Sequence, residues 1–176
     1  MVVLVGGFVW TTYNKLVRTN EVIDNQWAQV ETQYQRRFDL IPNLVSAVKG
    51  AMSQEQKVFG DLAEARTRYA GAGNSNDKAA AATEVESAFS RLLVVMENYP
   101  QLKSLDTVNT LMSELEGSEN RVSVERKRYN DAVKDFNITI KMFPGNLIAG
   151  MLGYGERNYF EAAAGAEKAP TVDLTK

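Results

Sequence analysis

The stretch from Gln33 to Gly50 reads QYQRRFDLIPNLVSAVKG. Tyr34, Ile41, Leu44 and Val48 follow steps of seven, three and four, which places them on one helical face. Arg37 falls on that same face, and Pro42 interrupts the pattern without ending it. A proline there removes the hydrogen bond to the Phe38 carbonyl and pushes that turn apart. The apolar spacing resumes in nearly the same phase, so the stretch predicts a helix kinked at Pro42. A break into two helices, with Asp39 as the second N-cap, is the alternative.

Working outward, the seam includes Leu16, Ile23, Trp27 and Val30 before this stretch and Met52 after it. It resumes at Phe59, Leu62 and Tyr69, which predicts one long helix over residues 11–69. GAGNSND at 71–77 is a turn rich in breakers. Asn76 or Asp77 is expected to cap a second helix over 77–98, with Val85, Phe89, Leu92, Leu93 and Met96 on its buried face. Tyr99-Pro100 ends it, because the residue before proline avoids the helical region. From Leu105 to Phe143 the three-four alternation does not slip: Leu105, Val108, Met112, Leu115, Glu119, Val122, Arg126, Tyr129, Val133, Phe136, Ile140, Phe143. The expected fold is all-α, an elongated antiparallel long-helix bundle of three to four helices, the first kinked at Pro42.

The polar members of these seams are the candidate interaction residues. A guanidinium on a seam needs a carboxylate from a facing helix. Glu119 is also a seam residue, so Arg37 is paired with it, and Arg126 is left seeking a carboxylate. Arg36 reaches Asp39 at i,i+3. Arg126-Lys127-Arg128 points in three directions and reads as a solvated collar. Arg36, Arg37, Asn43 and Tyr99 are candidates to line a groove near Pro42.

The chain has 176 residues, 20 basic and 22 acidic, and neither cysteine nor histidine. That excludes disulfides, Cys–His and Ser–His–Asp catalysis, and thiolate or imidazole metal sites. A net charge of −2 gives no global attraction to nucleic acid. Glu84 with Glu86, and Glu114 with Glu116, are two apart and point different ways on a helix. The expectation is therefore no enzyme, no cofactor, no nucleic-acid partner and no small-molecule substrate.

MVVLVGGFVW at the N-terminus is apolar, with Val2, Val3, Leu4, Val5, Phe8, Val9 and Trp10 as membrane or assembly candidates. Ten residues make about 15 Å of helix, whereas a bilayer core needs about 20 residues. Three readings stand: the remnant of a longer anchor or signal, packing against copies in an oligomer, or burial in a monomer core. Lys15 and Arg18 follow the run, which favours a cytoplasmic body. The glycine-rich apolar stretch Leu147–Tyr159 is expected to fold back along the bundle end or to contact a neighbour or a membrane surface. Phe160–Glu167 resembles a short helix end, and Ala169–Lys176 a tail.

Several stretches occur together in order. Tyr13-Asn14-Lys15-Leu16-Val17 and Trp27-Ala28-Gln29-Val30-Glu31 come first. Arg36-Arg37-Phe38-Asp39-Leu40-Ile41-Pro42-Asn43-Leu44-Val45 and Glu97-Asn98-Tyr99-Pro100 follow. Glu119-Asn120-Arg121, Arg128-Tyr129-Asn130, Phe143-Pro144 and Tyr159-Phe160-Glu161 close the series. Over residues 13–170 this resembles the LemA family of bacterial proteins. The resemblance implies a helical long-helix bundle with a short N-terminal membrane anchor, and it carries over no catalytic residues. Family members begin with a full apolar span after a basic start, and here that span is shortened.

Residues 1–12 are thus read as an anchor or assembly segment, 13–170 as the bundle and 171–176 as a tail. The functional expectation is a non-enzymatic, membrane-associated scaffold. It self-associates as a homo-oligomer, contacts lipid or another membrane protein, and sits at the cell membrane through its N-terminus. An adaptor that binds a protein partner near Pro42 is the alternative.

Overall fold

The computed structural model describes residues 2–160. Among them are five α-helices and no strand: α1 Val2–Val48, α2 Gln56–Gly71, α3 Ser75–Met96, α4 Asp106–Lys141 and α5 Gly145–Leu152. A 3₁₀ turn, Pro100–Ser104, joins α3 to α4. At ~1.5 Å per residue α1 is about 70 Å long and α4 about 54 Å.

α1 passes through Pro42 without a break, so the alternative with a helix start at Asp39 is not taken. It does stop at Val48, which corrects the expectation of one helix reaching Tyr69. The Val48 carbonyl accepts from both Ala51 N–H (3.1 Å) and Met52 N–H (3.0 Å), and the chain turns. Met52 is fully buried at this corner. The seam reads on past the corner because α2 buries its own apolar stripe, Leu62, Ala65 and Tyr69, in the same core. Periodicity reports the buried face and is silent about chain direction.

α3 begins earlier than expected. Asn74 is its N-cap: the Asn74 carboxamide oxygen accepts Asp77 N–H at 2.9 Å. Asp77 is therefore a first-turn residue, where an acid complements the helix dipole.

α1 and α4 pair antiparallel. Arg37 meets Glu119 and Trp27 meets Tyr129, so each step forward along α1 is a step back along α4. α2 returns along α1, placing Tyr69 against Tyr34 and Phe38. α3 runs parallel to α1, with Lys78 on Glu31 and Glu86 near Arg37. Four helices therefore surround the core only from about the level of Glu31 to Val48. Toward its N-terminus α1 keeps α4 and α5 as neighbours, and Leu16 is the first buried side chain among those described on α1.

Candidate functional site

Two features are built at different levels of the bundle: a buried charge cluster at mid-height and an apolar end.

The cluster joins three helices. Glu86 of α3 lies between Arg126 of α4 and Arg37 of α1. Arg126 Nη2 donates to both Glu86 oxygens, at 2.9 and 2.8 Å, and also to the Tyr34 hydroxyl. Arg37 Nη1 stands 3.4 Å from Glu86 and donates to Glu119. The guanidinium of Arg126 sits 4.3 Å from the Phe160 ring centre and 5.2 Å from that of Tyr34. Arg37 is 5.7 Å from the Phe89 ring. Aromatic faces stabilise a cation electrostatically where water is scarce.

The charges respond to this burial. Burial pushes the Tyr34 hydroxyl far above the usual phenol range, and the Glu86 carboxylate pushes it further. Tyr34 thus stays neutral beside the carboxylate. Burial lowers the pKa of Arg37, and Glu86 opposes that. Tyr69, packed beside this region, is pushed up to about 12 by burial and by Glu31. Two arginines against two glutamates leave the cluster neutral, which is the condition under which buried charges persist.

The sequence-derived candidates fall in several places. Arg37, Glu119 and Arg126 come together in the cluster. Arg36 and Asp39 line a separate cleft of about 530 Å³ between α1 and α4, with Glu114 and Arg121. Asp39 accepts from Gln35 Nε2 at 2.8 Å, which replaces the expected Arg36 pairing, because the i,i+4 carboxamide reaches it directly. Tyr99 donates to Glu55 at 3.0 Å, at the connection between α1 and α2. Asn43 and Asn120 are exposed, and Pro42 is half-buried within α1. Arg36, Arg37, Asn43 and Tyr99 therefore do not line one groove. Arg37 points into the core while Arg36, its neighbour, points away. Arg128 pairs with Glu125 and Lys127 is exposed, so the basic triplet splits as expected, except that Arg126 is inside.

Sequence reasoning missed Glu86. It lies one residue after the seam residue Val85 and three before Phe89, close enough to the seam to be reached by long partners. It also missed how the chain returns after α5. Residues 153–160 run back along α4 and are held by two asparagines. Asn137 donates to the Arg157 carbonyl and accepts its N–H, both at 2.9 Å. Asn130 donates to the Phe160 carbonyl at 3.0 Å and accepts its N–H at 2.7 Å. Seven helical residues span ~10 Å and three extended residues span ~10 Å, so the two clamps match in spacing. The detectable signal was a pair of asparagines seven apart, each next to an aromatic seam residue, Tyr129 and Phe136. Replacing buried Asn137 by alanine strands both backbone groups of Arg157 and is expected to cost about 2 kcal/mol. Amide exchange at Arg157 should accelerate strongly, whereas unchanged exchange would mean the clamp does not hold this segment.

The apolar end lies at the N-terminus of α1. Val3, Phe8, Val9 and Trp10 are exposed on its first turns, and Val2, Leu4 and Val5 belong to the same turns of helix. No helix among the described residues is long and apolar enough to cross a membrane. The transmembrane anchor implied by the resemblance is thus not found among them. No group of three or more metal-ligating side chains stands together among the described residues either. Leu147–Tyr159 folds back on the bundle end, as one of the expectations had it: Ile148 and Ala149 of α5 are buried, and α5 packs on α4 and α1. Of Phe160–Glu167, only Phe160 is among the described residues, and Ala169–Lys176 lies outside them.

A family model described as the LemA family matches residues 26–174. Among curated proteins, magnetosome proteins MamQ 1 and MamQ 2 of Paramagnetospirillum magneticum (strain ATCC 700264 / AMB-1) are each 26% identical, over 85% of this chain and 64% of theirs. Magnetosome protein MamQ of Magnetospirillum gryphiswaldense is 24% identical, over 84% of this chain and 64% of its own length. The chain therefore spans about 64% of the length of the curated relatives it matches.

Proposed function

The chain belongs to the LemA family, and from that premise we propose that it is a non-enzymatic, membrane-associated scaffold that self-associates through its apolar end. One observation carries the reading. Every described side chain from Val3 to Trp10 is exposed, although the run is helical and almost wholly apolar. Exposed apolar surface of this kind marks a protein or membrane contact. Lipid, copies of the chain, or both therefore cover these turns. The similarity to proteins named as magnetosome proteins fits a role at a cellular structure.

The mid-height cluster supports the same reading from the other side. Its charged groups are turned on one another, and Tyr34 is held neutral, so the cluster serves to set helix register. An adaptor that binds a partner near Pro42 is the second reading; the residues assigned to its groove lie apart, Arg37 in the cluster, Arg36 in the α1–α4 cleft and Tyr99 at the α1–α2 connection.

Vesicle flotation tests the lipid contact. The intact chain is expected to float with vesicles containing anionic lipid, and Phe8→Ser/Trp10→Ser to float several-fold less. Equal flotation of the two proteins would remove these turns from the contact.

A further inference from the structure

We propose that α5 and the turn before it form a second lipid contact, so that the bundle end meets an anionic bilayer surface with two apolar elements side by side. This rests on the membrane reading above and names a further part of the same end. The register of α1 against α4 brings Ile140 level with about Leu16. The end of α4 thus lies beside the N-terminal part of α1, and α5, which follows it, contacts both helices.

The surface there is apolar and one-sided. Met142, Phe143, Leu147 and Met151 are all exposed, Phe143 at 77% and Met151 at 87%. Leu147 and Met151 are one turn apart on α5, and the opposite face, Ile148 and Ala149, is buried in the bundle. No charged residue occurs from Met142 to Gly155. α5 is held from behind rather than hanging free. Lys141 pairs with Glu156 at 2.8 Å, Arg157 pairs with Asp24, and the asparagine clamps fix the chain that follows.

Two arguments favour lipid over a second copy. A helix of eight residues is about 12 Å long, and its one exposed face is far short of the ~800 Å² per partner of a stable protein interface. Partial insertion at the headgroup level needs no such area and suits a one-sided apolar stripe. The charge pattern agrees. Lys15 and Arg18 are exposed just past the apolar turns of α1 and have no ion-pair partner among the described residues. Cations placed there attract an anionic surface.

Flotation of the intact chain with vesicles of phosphatidylcholine and phosphatidylglycerol tests this, using Phe143→Ser/Leu147→Ser/Met151→Ser. These side chains are exposed, so helicity by circular dichroism should be unchanged. The expected result is at least a three-fold loss of the bound fraction, with a further loss when Lys15→Glu/Arg18→Glu is added. A triple variant that floats like the parent would overturn the second contact while leaving the α1 reading intact. If the parent itself does not float, the membrane reading falls and this inference with it. A variant that changes particle mass but not flotation would assign the face to a second copy, which also overturns the proposal.

Discussion

Replacing Glu86 by alanine is expected to lower the thermal midpoint by roughly 10 °C. Glu86 is the only carboxylate within reach of both Arg37 and Arg126 among the described residues. Removing one partner of a buried pair costs about 3–5 kcal/mol, because the remaining charge is left desolvated. Glu86 keeps 19% of its side-chain exposure, which points to the lower end of that range. For a domain of this size about 3 kcal/mol corresponds to roughly 10 °C. Glu119→Ala should cost much less, since its carboxylate is 43% exposed and Arg37 would keep Glu86. A shift for Glu86→Ala no larger than for Glu119→Ala would contradict this picture. The combined replacement Arg37→Met/Glu86→Leu/Arg126→Met, with Tyr34→Phe added because the buried Tyr34 hydroxyl would lose its Arg126 partner, is expected to be neutral or stabilising, as an apolar set removes the desolvation cost of the buried charges. Its value would lie in showing whether helix register survives without the charges.

Gly145→Ala is expected to destabilise by about 3 kcal/mol, at the upper end of the cost of overfilling a packed site. A Cβ on Gly145 would stand 2.1 Å from the backbone oxygen of Thr139 and 3.2 Å from its carbonyl carbon. Neither atom can swing away as a side-chain tip can, so α5 must lift from the end of α4. Ile148 and Ala149 would then lose their burial, and amide exchange in α5 should rise ahead of global unfolding. Gly150→Ala is the matched control. Its Cβ meets nothing within 4 Å, and alanine in a helix interior is favoured over glycine by about 1 kcal/mol. Equal effects of the two substitutions would mean that the close approach at Gly145 is relieved elsewhere. Because α5 carries the proposed lipid contact, Gly145→Ala should also weaken flotation while leaving Phe8 and Trp10 in place.

The parts of this fold that could be read in the sequence are those encoded by period. Twelve residues on a three-four alternation located α4 to within two residues at either end. The contact of Arg37 with Glu119 was legible because both are polar residues on otherwise apolar seams, and such residues must find each other or a surface. The turn at residues 49–55 was not legible. A stripe that resumes in phase looks the same whether the chain goes straight on or doubles back, and Met52 fills the corner with a residue of the expected type. Glu86 escaped because it lies beside its seam rather than on it. The asparagine clamps escaped for a different reason: their partners are backbone groups 20 and 30 residues away, which leave no mark on side-chain pattern. The supposed groove near Pro42 failed on helical geometry, since adjacent residues such as Arg36 and Arg37 face about 100° apart. The apolar N-terminal run was visible at once, but its exposure became evident only when Leu16 proved to be the first buried side chain described on α1.

The claim that joins these observations is that the apolar end is covered by something outside the single chain, including further copies. The most direct test is the particle mass of the intact protein in detergent-free buffer, measured by light scattering over a range of concentration. Masses that are multiples of 19.6 kDa are expected, falling toward the mass of one shortened chain when residues 1–12 are removed. A mass of 19.6 kDa at every concentration, with the intact chain remaining in solution, would contradict self-association through this end.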